Sequence, residues 1–166
     1  AGEAGVPVIM CTPPVNLRTC APFSGKPQED SREWEDVIAR GVGLMAEGDA
    51  PGALGAYRQA LLLDDTAADG WFLLGGALAK TGDMGGAQEC LSRARDLDRL
   101  RFRADSRIQE IVRDLAAKGV PVGGRVRLSD TARVIADLEH LGREMFVDHV
   151  HLTFAGTQAF CDTVLP

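Results

Sequence analysis

The side chains of this sequence best suited to chemistry gather towards its C-terminal end, where His140, Asp148, His149 and His151 follow closely on one another. Imidazole and carboxylate are ordinary zinc ligands, so a metal site is one chemistry that such a group could perform. His149 and His151 alternate, but no further ligand stands at a zinc-motif spacing, and neither a metal nor another cofactor is expected. The four cysteines, Cys11, Cys20, Cys90 and Cys161, form no Cys-x-x-Cys or zinc pattern and read as free thiols. Only Cys11 and Cys20 are near enough in sequence to suggest a bridge. Arginines at 93, 95, 99, 101, 103 and 107 make one basic cluster. It reads either as a solvated helix end, with cations at the negative pole of the helix, or as an anion or partner site.

These residues need elements to hold them. Val6-Pro7-Val8-Ile9-Met10-Cys11 is a short apolar run that ends at Thr12-Pro13-Pro14, the pattern of a buried strand leaving into a loop. Gly119-Val120-Pro121 and Gly123-Gly124 mark a loop, and Arg125-Val126-Arg127-Leu128 reads as a second strand. Ser129 or Asp130 can then cap a helix over 130–140. Strand, helices, strand and helix make a parallel βαβ pattern, whose crossover is expected to be right-handed. A last helix is expected over 154–164.

The crossover contains an internal repeat. Sliding the chain by 34 residues aligns Gly41 with Gly75, Leu44 with Leu78, Gly48-Asp49 with Gly82-Asp83, Ala53 with Ala87, Ala60 with Ala94, and Leu63-Asp64 with Leu97-Asp98. A period of this length, with Trp71, Leu74, Gly75, Leu78, Ala87 and Leu91 filling the second copy, is the tetratricopeptide pattern of stacked helical hairpins. Val37, Arg40, Gly41, Leu44, Ala53 and Tyr57 fill the first copy more loosely. Gly48 and Gly82 stand where each first helix must stop, and the Asp after each can cap the next helix. The spacing predicts helices over 33–47, 51–64, 68–81 and 85–98. Two repeats cannot cover their own ends. Ser106-x-x-Gln109 resembles a capping box, and Ile108, Ile111, Val112 and Leu115 share one helical face, so a capping helix is expected over 106–118.

Composition narrows the function classes. A chain of 166 residues with 45% hydrophobic residues can bury a core, and 5% aromatics with 19 glycines favour close helix packing. A formal charge of −6 argues against general nucleic-acid binding, which needs a clustered excess of Lys and Arg. The longest apolar stretch, Trp71 to Ala79, falls far short of the roughly 20 residues of a membrane span. Ala1-Gly2-Glu3 opens no basic and apolar leader pattern, so no signal peptide is expected.

Met145-Phe146-Val147-Asp148-His149-Val150-His151-Leu152-Thr153 resembles the last sequence block of SGNH/GDSL hydrolases. Thr12-Pro13-Pro14-Val15-Asn16-Leu17-Arg18 and 100–107 look like the bacterial subset of that family which carries tetratricopeptide repeats. The resemblance implies a mostly α chain in which tetratricopeptide (TPR) hairpins are inserted into the C-terminal part of an SGNH-like α/β (flavodoxin-like) fold. Its divisions would fall at 1–30, 31–118 and 119–166. It implies that Asp148 and His151 are two members of a catalytic triad acting on an ester. The serine hydroxyl is a poor nucleophile until an imidazole takes its proton, and a carboxylate fixes the imidazole's tautomer. Asn16 and Arg18, in the loop after the first strand, read either as substrate-side residues or as side chains that hold that loop through hydrogen bonds. The Gly-Asp-Ser nucleophile block is missing, since Ser24, Ser31, Ser92, Ser106 and Ser129 all lack that context. The chain alone is therefore expected to be inactive. An interaction module that binds a partner protein or peptide through its repeat surface is the competing reading. Unpaired strand edges at 6–11 or 125–128 predict pairing with another copy of the chain, or else disorder in the flanks.

Overall fold

A computed structural model describes residues 7–29, 31–119, 126–137 and 143–165. Among these the chain is mostly helical: seven helices, with packed hairpins of the tetratricopeptide kind and a small two-stranded parallel sheet. The order is β1 (Val8–Cys11), α1 (Arg32–Ala46), α2 (Ala50–Leu63), α3 (Ala68–Thr81), α4 (Met84–Leu97), α5 (Ser106–Lys118), β2 (Val126–Ser129), α6 (Thr131–Asp137) and α7 (Phe154–Val164). Val6, Arg125, the loop 120–124, the end of the expected helix at 138–140, and with it His140, lie outside the described residues.

The chain forms two compact units. One runs continuously from Ala21 to Arg101, and the other joins the residues up to Cys20 with those from Phe102 onward. The repeat unit is thus an insertion in the sequence of the other. Its four helices start and stop within one residue of the expected bounds. The turns between them have the same cause twice. Gly48 and Gly82 carry φ of 86° and 89°, a left-handed conformation that costs glycine little. Asp49 and Asp83 then accept from the backbone N–H of Gly52 and Gly86 at 2.9 Å, each satisfying one orphan donor of the next helix.

Inside the repeat unit, small residues set the approach and large ones fill what remains. A side chain at Gly41 would meet the Tyr57 ring at 2.5 Å, and one at Gly75 would meet Leu91 at 2.8 Å. Position for position, these are the same contact 34 residues apart. Tyr57, Leu74, Leu78, Ala53, Ala77, Ala87 and Cys90 make one buried cluster, and Trp34, Val37, Ala56, Ala60 and Ala67 a second.

In the other unit β1 and β2 pair in parallel, Val8 with Val126 through Cys11 with Ser129, as the βαβ pattern predicts. Here α5 packs on both strands. Helix 106–118 falls in the same compact unit as the sheet. Its cap differs from the expected one. Asp105, not Ser106, is the N-cap and accepts from Ile108 N at 2.9 Å. The expected buried face is reversed too: Ile108, Ile111 and Leu115 are 44–48% exposed while Gln109 is buried. Gln109 Nε2 donates to Pro13 O at 3.4 Å, and Arg113 binds Asp130 through both carboxylate oxygens at 3.0 and 3.1 Å. Polar anchors, rather than the apolar stripe, decide which side of α5 faces the sheet. The four cysteines are free, Cys11 and Cys20 included.

Candidate functional site

Asp148 and His151 sit in a short reversal of the chain ahead of α7. Phe146 and Leu152 form an isolated antiparallel bridge, Val147 N donates to His151 O at 2.8 Å, and Thr153 N donates to Met145 O at 3.0 Å. Phe146 is buried at the base. Thr153 caps α7 by accepting from Gly156 N at 3.1 Å. Gly156 has no room for a side chain, since a Cβ there would stand 2.1 Å from Met145 O. Cap, bridge and glycine together fix the two residues between Asp148 and His151.

Within that frame one carboxylate oxygen, Asp148 Oδ1, accepts from Val150 N at 2.9 Å and His151 N at 2.8 Å. The other oxygen, Oδ2, lies 2.7 Å from His151 Nδ1. The two backbone N–H groups, followed by the imidazole, hold the Asp148 carboxyl well below the usual carboxylate range. Asp148 therefore stays ionised across neutral pH and accepts from Nδ1–H, which leaves the lone pair on Nε2. The His151 side chain is 73% exposed, so that nitrogen is open to solvent. The pair has the chemistry of an oriented general base.

Asn16 supports this loop from below. It is buried; its N–H donates to His149 O at 3.0 Å and its Nδ2 donates to Asp148 O at 3.1 Å and Thr19 Oγ1 at 2.8 Å. Arg103 Nη1 in turn donates to Asn16 O and Cys20 O at 3.0 Å each. Asn16 thus makes a positioning contact with the Asp148 backbone. Arg18 is half-buried and makes no hydrogen bond or ion pair among the described residues. His149 meets Phe102 edge to face at 6.3 Å. Among the described residues no group of three or more His, Cys, Asp and Glu is placed to hold a metal ion. An open cleft of about 540 Å³ borders the loop, with Pro13, Phe102, Val150, Leu152 and Phe160 in its wall.

The basic cluster is largely committed to structure. Arg95 is buried and pairs with Asp96 at 2.7 Å, Arg99 Nη1 donates to Lys26 O at 2.6 Å, and Arg103 holds the Asn16 loop. Sequence reading missed the polar knot that ties the ends of the two strands. Thr12 Oγ1 donates to Asp130 Oδ1 at 2.8 Å and accepts from Ala132 N at 2.9 Å, while Thr131 Oγ1 donates to Thr12 O. Its members are 118–120 residues apart, and no local pattern joins them.

The repeat unit presents a second candidate surface. The first helices of the two hairpins, α1 and α3, share an open cleft of about 520 Å³ with the segment before α1. Ile38, Phe72 and Leu73 give it apolar walls, and Lys26, Glu35 and Asp69 give it charge. No helix among the described residues is long and apolar enough to cross a membrane.

Comparison with known proteins bears on this second surface. No curated protein and no solved structure matches the chain. Residues 44–112 match the family model described as tetratricopeptide repeat, so the chain carries a tetratricopeptide repeat region.

Proposed function

We propose that the chain is an interaction module whose repeat hairpins capture a partner protein or peptide. The observation that carries this reading is the repeated hairpin itself, with matching glycine contacts at Gly41 and Gly75, beside the match of residues 44–112 to the tetratricopeptide family. Stacked repeats of this kind offer extended surfaces to partners. Selection of displayed peptides on the whole chain tests it. Enriched peptides should lose binding when Phe72, in the wall between α1 and α3, is changed to Ser. Failure to enrich any peptide that is sensitive to this surface would defeat the reading.

A second reading rests on a different observation, the 2.7 Å contact between His151 Nδ1 and Asp148. In it the pair is the base and orienting carboxylate of an SGNH-like serine esterase, with the nucleophile supplied by sequence outside this chain and Arg18 on the substrate side. The chain joined to an upstream region bearing a Gly-Asp-Ser block should then hydrolyse a short-chain nitrophenyl ester. His151→Ala and Asp148→Asn should each lower kcat by on the order of 10³–10⁴-fold. Equal rates in the parent and both variants would remove the esterase reading and leave the interaction module intact.

A further inference from the structure

Helix α5 carries an apolar stripe that its own chain leaves in water. Ile108, Ile111 and Leu115 are 46%, 48% and 44% exposed, and at 3.6 residues per turn they fall within an arc of about 60°. The two flanks of this stripe differ. On one, Gln109 is buried and Val112 and Ala116 are half-buried. This is the side from which Gln109 reaches Pro13 and Arg113 reaches Asp130. On the other flank Arg107, Asp114 and Lys118 are all exposed, and they follow one another along a single strip. Lys118 Nζ lies 3.7 Å from Asp114 Oδ2.

The order base, acid, base along that strip decides what fits against it. When a second copy of α5 is laid antiparallel to the first, about a two-fold axis at Ile111, each helix presents the same flank to the other. Ile111 then meets Ile111 of the second copy, and Ile108 meets Leu115 with an offset of about 1.5 Å along the axis. On the shared flank Arg107 comes level with Asp114 of the second copy to within the same ~1.5 Å, and the symmetry repeats the pair. Asp114 is thereby held between Lys118 of its own helix and Arg107 of the other. A parallel pair would instead set the charged flank of one helix against the Val112 flank of the other, where Val112 and Ala116 offer no opposite charge.

We propose that α5 is a self-association surface through which two copies of the chain pair antiparallel, with Ile108, Ile111 and Leu115 as the seam and Arg107 facing Asp114 on its open flank. Apolar contact supplies the attraction, and the charge pairs choose the orientation. The seam has only three apolar residues from each copy, so concentration governs how much of the chain is paired. This goes beyond the reading of the repeats as an interaction module and does not depend on it, since α5 lies in the other compact unit.

Analytical ultracentrifugation of the whole chain at low salt, over a range of concentrations, tests the pairing. The parent should show a reversible equilibrium of monomer and dimer. Arg107→Glu turns two attractions per dimer into repulsions and should weaken pairing by about tenfold. Asp114→Arg should weaken it by about as much. Replacing an acid by a base there raises the formal charge by two, from −6 to −4, so general repulsion between copies falls and cannot be the cause. Arg107→Glu combined with Asp114→Arg returns opposite charges to the facing positions and should restore pairing to within about twofold of the parent. Ile111→Lys places like charges at the axis and should abolish the dimer, while Leu128→Lys on the sheet should leave it unchanged. Thermal melts of every variant check that the chain remains folded. The proposal is overturned if the parent stays monomeric at millimolar concentration, if the double variant pairs as weakly as the single ones, or if the dimer survives Ile111→Lys. A dimer that yields to Leu128→Lys alone would put the contact on the sheet and overturn it as well. None of these outcomes bears on peptide capture by the repeats.

Discussion

Protonating Asp148 means disrupting three contacts at once, two from backbone N–H groups and one from the His151 imidazole. Asp130 is in a like position, held below the usual carboxylate range first by its hydrogen bond to Arg113 and then by that from Thr12. A carboxyl whose folded pKa lies below its unfolded value of about 4 contributes stability that is present above that value and is lost as pH falls through the folded one. Thermal melts from pH 7 down to pH 2 should therefore show an acid limb that Asp130→Asn and Asp148→Asn each flatten. At pH 7 Asp130→Asn should cost about 1.5–3 kcal/mol, the worth of hydrogen bonds to a charged group. A variant with the parent's acid limb would show that the carboxylate is not held as described. The two aspartates also differ in how far the sequence exposes them. Asp148 reaches its partner three residues along the chain, so spacing alone suggests the pair. Asp130 meets Thr12 across 118 residues, and only a three-dimensional arrangement of both strand ends brings them together.

At the scale of the element, adjacent glycines of α3 separate packing from propensity. A Cβ at Gly75 would lie 2.8 Å from Leu91 and 3.1 Å from the Ala87 carbonyl, whereas at Gly76 nothing stands within 4 Å. Gly76→Ala should raise stability by about 0.5–1 kcal/mol, the ordinary gain of replacing glycine inside a helix. Gly75→Ala should lower it by about 1–3 kcal/mol through overpacking, and Gly41→Ala against Tyr57 should act likewise. Urea unfolding of the three variants would decide the matter, and equal effects at 75 and 76 would contradict the close hairpin contact. The repeat helices were legible because their glycines recur with their neighbours at a fixed offset, and each copy states the same contact. Helix α5 was legible as an element but not in its orientation. Periodicity finds the stripe of Ile108, Ile111 and Leu115 without saying from which side the partner comes, and the contacts of Gln109 and Arg113 settle that instead.

At the scale of the whole molecule, each of the two units handles its apolar surface differently. The repeat unit buries its tyrosine, most of its alanines and the leucines of its inner faces. The other unit is built on two short strands and leaves Ile9 and Leu128 of the sheet 37–39% exposed, together with the stripe on α5. A two-stranded sheet is marginal by itself, and among the described residues neither strand pairs with a third, which leaves edges able to pair with another chain. The net charge of −6 opposes association but is screened beyond about 8–10 Å at physiological salt. Light scattering coupled to size exclusion should therefore show association that grows with protein concentration and persists at high salt, where repulsion between copies fades. The paired substitution Ile111→Lys and Leu128→Lys adds charge to exposed positions and should shift the chain to a monomer. Its effect on stability should stay within about 1 kcal/mol, since neither side chain is buried. A parent chain that remains monomeric up to high concentration would mean that these surfaces are tolerated in water, and contact between copies would then have no part in how the repeat cleft is presented to its partner.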